Sequence, residues 1–75
     1  MKTIQDIRKA VKPLGFKLKT RSLSWGLHAT WADGEGNTCP SIFSPETLAK
    51  WQPLLDFRRE NGDALRALKI PGLAL

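Results

Sequence analysis

Apolar residues recur along this chain first at the spacing of a helix and then at the spacing of a strand. Ile4, Ile7, Val11 and Leu14 fall on one stripe, the pattern of an amphipathic helix. Thr3 is the expected N-cap, and Asp6 in the first turn suits the positive end of the helix dipole. Pro13 disfavours helical geometry at Lys12, and Gly15 can take a positive φ, so the helix should end there. The period then drops to two. Phe16 and Leu18 alternate with Lys17, Lys19 and Arg21, which predicts a strand whose basic residues face away from the helix. Leu23, Trp25, Leu27, Ala29 and Trp31 then alternate with Ser24, Gly26, His28 and Thr30, predicting a longer second strand. Trp25 and Trp31 share a face with leucines and are therefore assigned to the core rather than to a base-stacking surface. Gly26 either leaves a gap on the polar face beside His28 or marks a bulge.

Asp33-Gly34-Glu35-Gly36-Asn37 reverses the chain, and Thr38 to Phe43 can add a short third strand that Pro40 confines to an edge or ends early. Gly34-x-Gly36 lacks the later glycine and lysine of a phosphate loop and carries acidic residues, so it reads as a turn. Ser44-Pro45-Glu46-Thr47 opens a second helix with a serine cap and proline in the first position. Leu48, Trp51 and Leu55 share a face there, flanked by Leu54, and Pro53 predicts a kink or a restart. Asn61-Gly62 ends it, and Asp63 caps a short helix carrying Leu65 and Leu68. Pro71-Gly72 then leaves an apolar tail, Leu73-Ala74-Leu75, to complete the core or meet a partner. The expected fold is therefore α+β: a small α-β-β-(β)-α sandwich, an antiparallel meander with helices on one face. That layout resembles the double-stranded-RNA-binding domain. At 75 residues the chain fits a single domain, residues 1–75, with a core over about residues 3–60 and a short helix and tail over 61–75.

Charge changes the picture more than composition does. The net charge is +5, but residues 1–21 hold seven Lys/Arg against Asp6 alone, whereas the charged residues of 22–49 are all acidic: Asp33, Glu35 and Glu46. A basic N-terminal third points to a polyanion, most often nucleic acid, or to an acidic protein; the same charges also serve solubility as a solvated face. Arg8, Lys9, Lys12, Lys17, Lys19 and Arg21 are the expected nucleic-acid-binding residues. Cys39 is the only cysteine and can form no internal disulfide, which fits a reducing compartment, so the expected location is cytoplasmic. The sequence shows no signal-peptide pattern and no apolar run near membrane-spanning length, so no membrane role is expected.

The candidate chemistry centres on His28, the single histidine. An imidazole on the polar face of a strand can act as a base near neutral pH, and it can equally be an ordinary exposed or hydrogen-bonded strand residue. Ser24 and Thr30 are its expected neighbours, and Lys17, Lys19 and Arg21 can hold phosphates beside it if the hairpin register brings them close. No second acid or base is evident, which argues for a slow enzyme or none. The ligand spacing of a metal site is missing, so no metal or other cofactor is expected. Cys39 lacks a positioned base and sits against Pro40, which speaks against a nucleophile.

Gly15-Phe16, Gly26-Leu27-His28-Ala29-Thr30-Trp31, Asp33-Gly34, Cys39-Pro40 and Glu46-Thr47-Leu48 occur in an order that resembles HicA-type toxins over roughly residues 4–55. The resemblance implies a fold like the double-stranded-RNA-binding domain, metal-independent endoribonuclease action on messenger RNA, His28 as the catalytic residue, and a HicB-type antitoxin as protein partner. Leu27 stands where the family has serine and Ala29 where it often has a second histidine, and residues 61–75 have no counterpart in its pattern. Two readings without catalysis stand beside it. One is a nucleic-acid-binding module; the other is a small inhibitor or adaptor of the phage or plasmid kind, docking on a host protein through a strand edge or the apolar tail.

Overall fold

The first helix, α1, spans Ile4–Val11 and begins as its sequence predicts. Thr3 Oγ1 accepts from the Asp6 N–H at 3.2 Å while the Asp6 carboxylate accepts from the Thr3 N–H at 3.2 Å, a reciprocal cap that satisfies two donors the helix itself leaves open. A 3-10 turn, Lys12–Leu14, tightens the end of the helix around Pro13 before Gly15 redirects the chain. This is a computed structural model that describes residues 2–75.

Strand β1 (Phe16–Leu23) pairs antiparallel with β2 (Gly26–Asp33) in a two-stranded sheet. The link is only Ser24-Trp25, so the long alternation from Leu23 to Trp31 is not one strand: Leu23 closes β1, and Trp25 lies in the turn, 63% exposed rather than in the core. Gly26 belongs to this reversal. Its φ of 136° is a value that residues with a Cβ rarely adopt; the register runs unbroken from Leu23 opposite Gly26, so there is no bulge, and the space where a Cβ would stand is open.

The expected third strand reduces to a single bridge between Ala32 and Thr38, with the Cys39 N–H donating to the Trp31 carbonyl at 2.9 Å. Pro40 has no N–H with which to extend that ladder. The fold is thus α+β, with two antiparallel strands and helices packed on their inner face.

Helix α2 (Pro45–Glu60) starts at Ser44, which accepts from the Thr47 N–H at 3.2 Å, and it runs unbroken through Pro53. The helix does not restart there: Trp51, Leu54 and Arg58 are buried on one side while the Pro53 ring faces solvent. That burial outweighs a cost of roughly 3 kcal/mol for an interior proline. The buried stripe is therefore Trp51, Leu54 and Arg58, and Leu48 is 41% exposed instead of sharing it. A short helix, α3 (Gly62–Ala67), follows, and Leu65 on it is fully buried.

The core joins Ile7 and Val11 of α1, Phe16 and Leu18 of β1, Ala29 and Trp31 of β2, Trp51 and Leu54 of α2, Leu65, and Leu73 of the tail. It therefore extends past residue 60. The tail completes it: the Ala29 N–H donates to the Pro71 carbonyl at 2.9 Å, and Trp31 Nε1 donates to the Gly72 carbonyl at 3.0 Å. A Cβ at Gly72, whose φ is 91°, would overlap the Ala29 carbonyl, so only glycine lets the tail lie this close to β2. Arg58 clamps the tail from the other side. Its Nε donates to the Leu73 carbonyl at 3.0 Å and Nη2 to the Gly72 and Ala74 carbonyls at 3.2 Å each, with the guanidinium 5.5 Å from the Trp31 ring centroid.

Candidate nucleic-acid interface

The register of the hairpin decides which side chains meet. Lys17 lies opposite Ala32, Lys19 opposite Thr30, and Arg21 opposite His28. Since side chains of paired residues share a face, Lys17, Lys19, Arg21, His28 and Thr30 all project from the outer side, away from Phe16, Leu18, Ala29 and Trp31 in the core. Lys17, Lys19 and Arg21 are exposed; His28 and Thr30 are half-buried. Among the described residues, no ion pair engages Lys17, Lys19 or Arg21, and the outer face of the two strands carries no carboxylate. The result is a short track of uncompensated positive charge with one imidazole beside its last cation.

The other expected binding residues lie elsewhere. Arg8 turns from α1 to the edge of β1, where Nε donates to the Leu18 carbonyl at 3.2 Å and Nη2 to Thr20 Oγ1 at 3.4 Å. Lys12 is exposed in the 3-10 turn, and together with Arg8 and Lys17 it borders a groove of about 410 Å³ between α1 and β1, walled by Gly15, Phe16 and Leu18. Lys9 is exposed on α1, the helix that packs on the inner side of the sheet. The six cations therefore form two sets, a track on the outer face and a rim around the groove, with Lys9 apart. Ser24 does not flank His28, because it belongs to the turn and not to β2; of the two expected neighbours, only Thr30 shares the strand face with it.

The acidic turn is built around Asp33. Its carboxylate accepts from the N–H groups of Glu35 at 2.9 Å and Asn37 at 2.8 Å and from Asn37 Nδ2 at 3.1 Å, and it pairs with Lys50 Nζ at 2.7 Å. The Lys50 ammonium, followed by these backbone donors, holds the Asp33 carboxyl well below the usual carboxylate range, against the opposing effect of burial. This region is a structural knot that ties the turn to α2, and its negative charge lies off the outer face. Burial pushes the Cys39 thiol up, away from the thiolate that a nucleophile requires. Among the described residues, no three of His, Cys, Asp and Glu gather in a metal-binding group, and no helix is long and apolar enough to cross a membrane.

One side chain escapes a reading by periodicity alone. Trp25 stands exposed at the hairpin tip, beyond the Arg21 and His28 pair. The signal for it is the Ser24-Trp25-Gly26 run, in which glycine directly after two residues is compatible with a tight reversal as well as with a continuing strand. Comparison of the chain with protein-family models, with known proteins and with solved structures returns no match. Its function must then be argued from the chemistry of these faces.

Proposed function

We propose that this protein binds the phosphate backbone of nucleic acid, RNA foremost, through the outer face of the β1–β2 hairpin, and that it does so in the cytoplasm. The observation that carries this reading is the register: Lys17, Lys19 and Arg21 stand at alternate positions of one exposed face with no acidic neighbour on it. Three cations at that spacing cover about 13 Å of strand. Exposed Trp25 at the end of the track offers a ring on which an unpaired base can stack, which favours single-stranded segments. Titration of single-stranded RNA against the protein over a range of salt tests it. Three phosphate contacts give a slope of about −2 in log K against log salt, and Lys19→Gln removes about 0.7 of it. An affinity indifferent to salt, or a slope the substitution leaves unchanged, refutes the reading.

A second reading, ribonuclease action of the toxin kind, is favoured by the Arg21 and His28 pairing. Directly opposed residues of an antiparallel ladder lie about 5.5 Å apart at Cα, so a phosphate held by Arg21 lies within reach of the imidazole. His28 then takes the proton of the 2′-hydroxyl, whose oxygen attacks phosphorus as the 5′ oxygen leaves and takes a proton from water. One imidazole without a second acid makes this slow. RNA ends carrying a 2′,3′-cyclic phosphate, present with the wild-type chain and lost with His28→Ala at unchanged RNA affinity, are the expected products. Intact RNA, or cleavage indifferent to the substitution, removes catalysis and leaves binding.

A further inference from the structure

The two edges of the hairpin differ in what covers them. Within one strand of an antiparallel ladder, the N–H and C=O of a residue point to the same side, and successive residues point to opposite sides. The Leu18 carbonyl is turned to Arg8, while the Trp31 carbonyl and the Ala29 N–H are turned to Cys39 and Pro71. The pairs Leu18 with Trp31 and Thr20 with Ala29 are therefore those whose backbone groups face outward. It follows that Leu18, Thr20 and Ser22 present their N–H and C=O groups along the free side of β1, where the Arg8 guanidinium covers the Leu18 carbonyl.

We propose that this edge accepts an extended segment of a partner protein as a third strand, and that the segment alternates apolar with acidic residues. Backbone bonds to Leu18, Thr20 and Ser22 supply the pairing. Side chains of an added strand that lie level with Phe16 and Leu18 point to the inner side, toward the groove of about 410 Å³ between α1 and β1, which suits apolar groups. Those level with Lys17, Lys19 and Arg21 point outward, beside three cations without acidic neighbours, which suits glutamate or aspartate. Arg8 and Lys12, on the groove rim, add to that preference. The same charges exclude a second copy of this chain as the occupant. Two β1 strands side by side would set Lys17, Lys19 and Arg21 of one against those of the other, and like charges across a ladder are destabilising.

The inference is independent of nucleic-acid binding, and its test contains no nucleic acid. The probe is a capped peptide of alternating valine and glutamate, as long as the 8 residues of β1, added to the isotopically labelled protein. Slowed exchange of the Leu18, Thr20 and Ser22 amides is the expected result, with little change at the Ala29 amide that Pro71 already holds. Two further peptides carry N-methyl groups on alternate residues, in the two possible phases. One phase should lose roughly tenfold or more in affinity while the other binds as before, because only one set of N–H groups faces β1. Thr20→Pro, which removes an outward N–H without touching the ladder to β2, should weaken the unmodified peptide to a similar degree. A peptide in which lysine replaces glutamate should not bind. Absence of binding at about 1 mM peptide, equal effects of the two methylated phases, equal binding of the lysine peptide, or a homodimer broken by Thr20→Pro each overturns the proposal.

Discussion

The edge of β2 and the edge of β1 start from the same backbone chemistry and end in opposite states. Along β2, the Ala29 N–H, the Trp31 carbonyl and the Asp33 N–H are all bonded, to Pro71, Cys39 and Asn37 respectively. Along β1, one side chain, Arg8, reaches one carbonyl and one hydroxyl. Both edges use an arginine that donates to backbone oxygens, yet Arg58 is buried and meets three carbonyls whereas Arg8 remains half-exposed. An unpaired edge buried under apolar surface must be satisfied, since each orphaned group there costs about 1–3 kcal/mol. An edge that meets water need not be. The β2 edge adjoins the core, and the chain closes it with segments remote in sequence; on the β1 edge, Arg8 covers the Leu18 carbonyl while Thr20 and Ser22 are exposed.

Arg58→Ala breaks the contrast most severely. It leaves the carbonyls of Leu73 and Ala74 without their donor and that of Gly72 with Trp31 Nε1 alone, and it removes the cation from the Trp31 ring. Charge-assisted bonds contribute about 1.5–3 kcal/mol each and do not add fully, so a loss of about 3–4 kcal/mol is expected. A chain of this size has on the order of 4–11 kcal/mol in all. Urea unfolding should show the midpoint fall accordingly, and Arg58→Lys should recover only part of it, because an ammonium cannot bridge three carbonyls as the planar fork does. A midpoint shift equivalent to less than about 1 kcal/mol of stability would mean that the tail does not seal β2.

Gly72→Ala tests the same seal without touching any charge. The added methyl group meets the Ala29 carbonyl and the backbone holds a φ of 91°, so a loss of roughly 2–3 kcal/mol is expected. Amide exchange at Ala29 should accelerate more than exchange at strand positions that face β1. Uniform acceleration would assign the effect to the core as a whole.

Asp33 anchors the other half of the β2 edge, the turn through Asn37. Its carboxyl titrates lower in the folded chain than in the unfolded one, chiefly because of Lys50, so the unfolded state binds the proton more tightly. The stability it contributes is therefore complete above about pH 4 and is lost as the pH falls below that value. Asp33→Asn should lower the melting temperature at neutral pH and flatten its decline between about pH 5 and pH 2. Parallel acid limbs for the two proteins would show that other carboxylates govern that decline.

Much of the outer face is legible in the residues themselves. The period of two places Lys17, Lys19 and Arg21 on one side, and the caps at Thr3 and Ser44 announce α1 and α2. The meeting of Arg21 with His28 is not legible, because register depends on where the chain reverses and the apolar alternation of Leu23, Trp25 and Leu27 continues straight through the reversal. Arg58 is hidden for a different reason. Its partners lie 14 to 16 residues away and are backbone oxygens, which no side-chain pattern marks. The restart expected at Pro53 does not occur because the local cost of proline is set against burial of Trp51 and Leu54, a quantity that only the assembled core supplies.

The smallest expected effect bears most directly on the contrast between the edges. Arg8→Ala frees Thr20 Oγ1, which is exposed, and the part-buried Leu18 carbonyl, which the removal of the Arg8 side chain opens further to solvent, so stability should fall by no more than about 1 kcal/mol. The cover over the β1 edge is then gone while the repulsion among Lys17, Lys19 and Arg21 remains, and the variant should stay monomeric at low salt. At about 1 M salt, where charges are screened beyond roughly 3 Å, the uncovered edges can pair and sedimentation should reveal association that the wild-type chain does not show. Association already present at low salt would make Arg8, and not the three strand cations, the group that keeps this edge open. A variant monomeric at every salt concentration would assign that role to the groove and its neighbouring helix α1.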